Sequence, residues 1–451
     1  MLLHLRLFVA FNLIGGLLLS GQSGPLQTYI QQGLQNNLNL QKEAYGLDIQ
    51  SSKVAEAKAN SLPVVTFEPS YLLAAGGRRL EFPVGDLFNP AYSALNQLTQ
   101  QNAFPTNLEN VDEQLTPNNF HDTRLYAAMS IYNPAIYHNI KAQEQLISVE
   151  QAKINTLALE LKKNIKVAYY NYLKTFEVSK IFDESESLLK ELFRFNQKLV
   201  KYDKATPDVQ AGVRYELEQI KGQRIQLEQQ RVTAQAYFNS LLNRDFAAPI
   251  DIDETIWYSD QAKEDLTEYR QLAVGNRTEL SQLDNAIKAN EIGKEIAEKS
   301  LLPTVGISAT AGFQGDSYTF NREQLLGTMA IGAKWTIFDG KKRKKQVEQA
   351  ELSTLQLQKE YALVQQQIEL QVINAWNALR SAEQQIVTEQ AAVNSAWERL
   401  KVVQKRYENE KAILIEYLDA RTKWTTAKIQ LAVAKYDVLI RQAELDRAVA
   451  Y

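Results

Sequence analysis

The sequence contains few of the residues that catalytic and metal sites need. Among its 451 residues there is no cysteine, and histidine and methionine each occur three times. Without cysteine there is no disulfide, no thiolate metal ligand and no attachment point for a lipoprotein lipid, so we expect a chain that is not lipid-anchored. The sequence shows no nucleophile–histidine–acid set and no glycine loop for phosphate. It therefore predicts no enzyme activity, no catalytic or metal site and no cofactor.

An excess of basic charge is also missing. Lys and Arg number 50 against 53 Asp and Glu, the formal net charge is −3, and the isoelectric point is about 5.9. A protein that binds nucleic acid usually carries a basic patch. Nucleic acid is therefore not expected among the partners.

Long apolar runs are absent beyond the N-terminus. Residues 1–23 contain Arg6, an apolar segment from Leu7 to Leu19, and the small residues Gly21 and Ser23. This pattern predicts a secretory signal peptide, and the alternative is a buried N-terminal helix. No other segment reaches the roughly 20 apolar residues of a transmembrane helix. We therefore expect an exported protein that can enter a membrane only as a β-barrel.

Glycine and proline are missing from two long stretches, Ala135–Thr206 and Lys341–Tyr451. Because these two residue types interrupt helices most strongly, both stretches are predicted to be helical. Apolar residues recur at steps of three and four between positions 364 and 386, which is the spacing of helices that pair lengthwise. Each stretch is therefore predicted to enter a long antiparallel helix pair, with hairpin tips near residues 202–208 and 407–413.

The chain contains one unit twice. Residues 36–65 align without gaps to residues 276–305, and each aligned segment is a predicted helix that stops at a Leu-Pro pair. The predicted organisation is a signal peptide at 1–23, a first repeat at 24–242, a linker at 243–269 and a second repeat at 270–451.

Three segments alternate between apolar and small or polar residues with period two, namely 125–131, 304–313 and 327–338. They predict strands with one apolar face, either in a half-buried sheet packed on helices or in a membrane barrel. The repeat implies four strands per chain, with a hairpin at 304–338 in the second repeat. Four strands are too few to close a barrel. They form either a sheet with exposed edges or a share of a larger barrel, to which three chains would give twelve.

Four motifs together resemble the TolC family of outer-membrane efflux proteins. They are NRTEL at 276–280, the Leu-Pro before the strands, WTIFDG at 335–340, and RYENEKAILIEYLDARTKWTTAKIQLAVAKYDVL at 406–439. The resemblance covers essentially the whole mature chain. It implies a mainly α fold with β, in which long antiparallel coiled-coil helices form a periplasmic α-barrel. Four strands per chain then contribute to a 12-stranded trimeric transmembrane β-barrel.

The resemblance also implies a function, a location and partners. The function is a trimeric outer-membrane channel that exports substrates from the periplasm as part of a tripartite efflux or type I secretion system. The location is the outer membrane of a Gram-negative-type cell, with an extension into the periplasm. The partners are two further copies of the chain, a periplasmic adaptor, an inner-membrane pump of RND or ABC type, and outer-membrane lipid.

Site residues follow from the resemblance motif by motif. IEYLDA at 415–420 matches an acidic constriction of the family, so Glu416 and Asp419 are expected to form a ring at the periplasmic entrance. They are three residues apart and share a helix face. The alternative is that they are two ordinary acids at a helix N-terminus, where they interact favourably with the helix dipole.

A gate is expected between the two hairpin tips. Asp208 and Tyr407 match the family's positions, but Ala412 stands where the family has a basic partner. Either Lys411 takes that role or the gate rests on packing.

A membrane junction is expected where the last strand meets the long helix. There Asp339 is predicted to cap the helix N-terminus. The basic residues Lys341, Lys342 and Arg343 either contact lipid head groups or form a solvated face.

An insert distinguishes the two repeats. Residues 81–119 are rich in Asn, Gln, Pro and aromatic residues and have no counterpart in the second repeat. We expect a loop at the outer end of a hairpin that faces the exterior, as a partial lid over the pore or as a variable surface.

Three other classes of protein are disfavoured. A periplasmic adaptor has one helical hairpin per chain, flanked by glycine-rich β domains that this sequence lacks. A structural coiled-coil protein does not account for the strands. A hydrolase lacks its catalytic residues here.

Overall fold

The computed structural model describes residues 24–116, 118–253, 256 and 265–451. The predicted signal peptide and part of the predicted linker, residues 254–255 and 257–264, lie outside the described residues. The described chain divides into two compact units, each assembled from separate segments. The first, here called the helical unit, comprises the described residues up to Gln50 with Leu146–Ile287 and Gln356–Tyr451. The second, the sheet unit, comprises Ser51–Gln145 and Lys288–Leu355.

The described helices fall into the same order in both halves of the chain. The first half has α1 Pro25–Asn36, α2 Leu38–Ala59, α3 Val84–Thr99, α4 Pro134–Lys201 and α5 Asp208–Leu241. The second half has α6 Leu266–Asn276, α7 Thr278–Lys299, α8 Lys342–Glu408 and α9 Leu414–Val449. Only α3 has no counterpart, and it lies in the insert. No helix in the described part of the chain is long and apolar enough to cross a membrane.

The periodic apolar residues of α8 form a packed seam, as their spacing predicted. Ile368, Val372 and Leu379 are almost completely buried, and they cluster with Val438 and Leu445 of α9. Burial of side chains of this size stabilises by roughly 1.5–3 kcal/mol each. The long helices are therefore held along their length by side-chain packing.

The two long helices end at the expected tips for local backbone reasons. After α4, Asp203 adopts a left-handed conformation with φ 56°, and Pro207 lies directly before α5. After α8, Glu410 is left-handed with φ 62°. Such a conformation costs a residue other than glycine about 1–2 kcal/mol, so each tip is a defined turn and not a frayed end.

Arg277 is buried at the break between α6 and α7. Its guanidinium donates to both carboxylate oxygens of Glu279, at 2.8 and 2.9 Å, and to the carbonyl oxygen of Ala448 at 3.0 Å. Arg447 also donates to Glu279, at 2.9 Å, and to Glu160 at 3.1 Å. Burial opposes ionisation of Glu279, but the hydrogen bonds from Arg277 and Arg447 outweigh it and lower its pKa to about 2.

We expect the substitution Glu279→Gln to reduce the stability of the helical unit at neutral pH and to have less effect in acid. The folded pKa lies below the ordinary value of 4.5, so ionised Glu279 stabilises the fold above that pH. This stabilisation, roughly 3 kcal/mol, is lost as the pH falls towards the folded pKa. Thermal unfolding of detergent-solubilised protein should show a Tm difference that shrinks on acidification. The exposed Glu268→Gln is the control. A Tm difference for Glu279→Gln that stays constant with pH would contradict the assignment.

The strands of the described residues form two antiparallel sheets. A four-stranded sheet has the order β1-β4-β5-β6, with β1 Val64–Leu72, β4 Phe120–Tyr132, β5 Thr304–Gly315 and β6 Leu325–Lys334. A two-stranded ribbon within the insert joins β2 Arg79–Phe82 to β3 Val111–Gln114.

Two sequence-based expectations for the strands and the insert differ from the structure. The strand expected at 327–338 ends at Lys334, which pairs with Thr304, because Pro303 precedes Thr304 and β5 offers no partner beyond it. The insert expected to be a loop contains α3 and the ribbon. Its asparagines account for this difference, since their side chains bond distant backbone groups instead of solvent.

Candidate functional site

The four-stranded sheet has one apolar and one small or polar face. The register sets Phe67 beside Leu125, which lies beside Ala311, and Ile307 beside Ile331. On the opposite face, Tyr126 lies beside Thr310, which lies beside Thr328. The structure thus confirms the predicted alternation.

Nothing in the described part of the chain covers the apolar face. Phe67 and Ile331 remain 64% and 69% exposed, and all nine residues of β1 are exposed. A half-buried sheet packed on helices would have covered this face, so that alternative is wrong. The strands have nine to thirteen residues, which suffices for a tilted strand that spans a bilayer.

Both edges of the sheet lack a partner within the described part of the chain. Strand β1 pairs only with β4, and β6 pairs only with β5. Each edge therefore carries a row of backbone N–H and C=O groups that are free to pair with another strand. Since an open edge cannot face lipid, the sheet is incomplete as a membrane structure by itself.

Asp339 lies where the chain leaves the sheet and enters α8. Its carboxylate accepts the backbone N–H of Lys341 at 3.0 Å and that of Arg343 at 2.9 Å. Gly340 and Lys341 adopt left-handed conformations with φ 64° and 70°, which forms the turn. Lys341 and Lys342 are exposed. The capping geometry is present, and contact with lipid stays a prediction.

The acidic pair of α9 lies just after the second hairpin tip. Asp419 accepts a hydrogen bond from Arg399 at 2.7 Å and pairs with Lys423 at 3.1 Å. Lys423, the largest cause, and Arg399 lower the pKa of Asp419. Glu416 lies 3.7 Å from Arg406. Each acid is thus held beside a basic residue of its own chain, and the ring itself stays a prediction.

Two of the three gate candidates, Asp208 and Tyr407, have separate side-chain partners in this chain. Asp208 accepts a hydrogen bond from Thr206, and the buried Tyr407 donates one to Asn196 at 2.7 Å. Within the described residues, no hydrogen bond or ion pair joins Asp208, Tyr407 and Lys411 to one another. Tyr407 also lies in an apolar cluster with Tyr417 and Leu192. A role of these residues in gating therefore stays a prediction.

An ion pair that the sequence did not indicate joins the two tips. The ammonium of Lys204, after α4, lies 3.1 Å from a carboxylate oxygen of Glu410, after α8. Both side chains are well exposed. A pair of this kind contributes about 0–1 kcal/mol, so it can be broken easily.

A buried arginine connects both helix pairs near the tips. Arg421 of α9 is 2% exposed and donates to Ser185 of α4 at 2.6 Å and to Glu216 of α5 at 2.9 Å. Sequence reasoning missed Arg421, because it lies one residue beyond the quoted acidic motif and looks like a surface residue. Its partners lie in the other repeat, so no local pattern indicates them.

The comparisons with known proteins all find outer-membrane proteins or transmembrane channels. Residues 269–450 match the family model described as "Outer membrane efflux protein". The outer membrane protein TolC of Escherichia coli strain K12 is 22% identical, with 98% of this chain and 85% of TolC covered. The solved structure of CusC is 15% identical with a TM-score of 0.75, and 94% of this chain and 92% of CusC are covered. VceC of Vibrio cholerae is 15% identical with a TM-score of 0.73, and 94% of this chain and 95% of VceC are covered.

The structural likeness shows the fold of the chain, which is mainly α with β and matches TolC-like outer-membrane channel folds. TolC of Escherichia coli and TolC of Salmonella enteritidis, the latter 21% identical, each align along 98% of the chain. The resemblance to the TolC family of outer-membrane efflux proteins, first indicated by motifs such as NRTEL and WTIFDG, is thereby confirmed.

Proposed function

We propose that the chain forms a homotrimeric outer-membrane channel that exports substrates from the periplasm to the exterior. The observation that carries this proposal is a sheet with an exposed apolar face and two unpaired edges. When β6 of one copy pairs with β1 of the next, every edge gains a partner and the apolar face turns towards lipid. Three copies then give a barrel of twelve strands, with Thr310 and Thr328 on the lumen side.

The long helices continue the wall of the duct in this proposal. Along the chain, α8 begins after Asp339 and ends at the second hairpin tip, and Glu416 and Asp419 line the entrance in this proposal. Lys341, Lys342 and Arg343 contact lipid head groups at the junction. The tips receive a periplasmic adaptor, which links the channel to an inner-membrane pump of RND or ABC type. The channel has no energy source of its own, so transport is driven by the pump.

The experiment places a positive charge on either face of β6. Met329 is exposed on the apolar face, and its neighbour Thr328 is exposed on the opposite face. A lysine that faces lipid near the bilayer midplane costs roughly 2–4 kcal/mol, whereas a lysine that faces the lumen is solvated. Met329→Lys should therefore greatly reduce the recovery of trimers from outer membranes, and Thr328→Lys should not.

Trimers are detected by their slow migration in detergent gels, which heating abolishes. Purified trimers of the unmodified chain and of Thr328→Lys should conduct ions in planar bilayers. Equal recovery of both lysine variants, or well-folded trimers that do not conduct, would contradict the proposal.

A further inference from the structure

The insert between β1 and β4 is a defined structure with asparagine contacts inside. Asn96 exchanges two hydrogen bonds with the backbone of Phe104, at 2.7 and 3.0 Å. Asn89 does the same with Leu108, at 2.9 and 2.8 Å. The side chain of Asn110 accepts the N–H of Gly85 at 2.9 Å. One side of α3 is thus fixed to the returning segment 104–110 by polar contacts.

The fit between α3 and this segment is close. A Cβ added to Gly85 would lie 2.2 Å from the carbonyl oxygen of Leu108, so only glycine is accommodated there. The helix therefore cannot rotate to bury a different side without losing these contacts. The asparagine contacts determine which residues of α3 point away from the chain.

One of the exposed sides of α3 is apolar. Leu87, Leu95 and Leu98 lie on one stripe of α3, and Leu98 is 81% exposed. Phe88 extends the stripe and is itself exposed. A helix that packs on its own chain normally buries its apolar stripe, whereas this helix buries its polar side. An exposed apolar stripe on a rigid frame indicates a surface that another molecule covers.

The charge of the insert disfavours a lipid surface as the covering partner. The only basic residues between β1 and β4 are Arg78 and Arg79, at the start of the ribbon, and the one charged residue of α3 is Asp86, which lies off the apolar stripe. A helix that binds an anionic membrane surface typically carries basic residues. A second copy of the same stripe can bind without basic residues, because the stripe has no charge.

The position of the insert also favours another copy of the chain. The insert leaves the sheet from β1, which is an edge strand. Hydrogen bonds from Tyr71 to Asn119 and from the Ala74 N–H to Asn118, the latter at 2.9 Å, hold its two ends together at that edge. In the proposed trimer this edge is the boundary with the next copy, and the inserts of all three copies lie at the same end of the barrel.

We propose that the apolar stripe of α3 packs against the α3 helices of the neighbouring copies, so that three inserts form a lid over the outer end of the channel. This inference rests on the proposed trimer. The three stripes meet around the channel axis and exclude water from one another. The asparagine contacts within each copy keep the three helices oriented for this packing.

The test uses the absence of cysteine, which makes any introduced thiol unique in its chain. Leu98→Cys and Leu95→Cys place a thiol on the stripe, and Ser93→Cys places one on another exposed side of α3 as the control. After mild oxidation or treatment with a short bis-maleimide, the stripe variants should give covalent dimers. The yield should approach about two thirds of the chains, because three thiols around one axis form one bond between two of them. Ser93→Cys should give several-fold less.

The possible outcomes test the lid and the trimer separately. Trimers that give no more covalent dimer at positions 95 and 98 than at position 93 would overturn the lid, whatever else covers the helix. Loss of trimers in all three variants and in the unmodified chain would overturn the proposed function instead. As a second measurement, Leu95→Asp with Leu98→Asp should raise the single-channel conductance relative to Ser93→Asp with Gln97→Asp, since repulsion opens the lid. Unchanged conductance would count against it.

Discussion

Replacing Glu416 and Asp419 together with alanine is expected to lower the preference of the proposed channel for cations and to weaken its block by multivalent cations. In a trimer the double substitution removes six carboxylates from the entrance. It also leaves Arg399, Arg406 and Lys423 without the acids that they contact at 2.7 to 3.7 Å. The entrance thus becomes more positive, because the three basic residues of each chain stay. Charges that lie close together in a narrow, weakly screened opening act strongly on a passing ion.

Reversal potentials in a salt gradient measure this change, together with block by multivalent cations added from the periplasmic side. The matched control is Asp437→Ala with Glu444→Ala. These two acids also lie on α9 and also contact one arginine, Arg441, but Asp437 lies about 27 Å along the helix from Asp419. The control should leave ion preference unchanged. If it alters cation block as much as the entrance variant does, the two entrance acids are ordinary helix-start residues.

Replacing Arg421 with methionine is expected to destabilise the tip-proximal part of the helical unit by roughly 3–5 kcal/mol. The substitution keeps most of the side-chain volume, but it leaves Glu216 without the guanidinium 2.9 Å away and removes a donor to Ser185. Loss of one member of a buried ion pair is costly, because the remaining charge stays desolvated. The two helix pairs should then separate more readily near the tips.

A lower Tm and faster proteolysis close to residues 202–208 and 407–413 would report the change. Arg441→Met is the control, since Arg441 forms two ion pairs on the same helix but is far more exposed, and its loss should cost no more than about 1 kcal/mol. Arg421→Met combined with Glu216→Met should recover much of the stability, because an apolar pair carries no buried charge. If Arg421→Met costs no more than Arg441→Met, the buried pair does not hold the helices together.

The long helices and the strand faces could be predicted from the sequence because a single period extends over many residues. Steps of three and four in α8, and alternation in β5, are repeated often enough to identify both the element and its buried or apolar side. The structure of the insert could not be predicted in this way. Its asparagines and Pro90 suggested a loop, whereas α3 is held by hydrogen bonds between Asn89 or Asn96 and residues eight to nineteen positions later. Composition does not report such contacts.

The site residues were predicted by matching motifs. This explains why the cap of α8 could be predicted and the contacts between distant segments could not. Asp339 caps α8 as expected, since capping depends on a few neighbouring backbone groups. Contacts between the tips depend on the side chains of two distant turns, and there the structure pairs Lys204 with Glu410. Arg421 makes its contacts with the opposite repeat, where no pattern within α9 could indicate the partner.

The strand order also dictates when the sheet can form. Its central pair, β4 and β5, joins His121 to Gly315, so the first repeat supplies one hairpin and the second repeat supplies the other. A hairpin alone is marginally stable in water, and pairing between segments this distant in sequence is slow. Synthesis starts at the N-terminus. The apolar side chains of β1 and β4 therefore stay exposed until the residues beyond 304 have been made. We expect transit to the membrane to require a holding chaperone, and truncation before β5 to produce aggregates instead of a smaller channel.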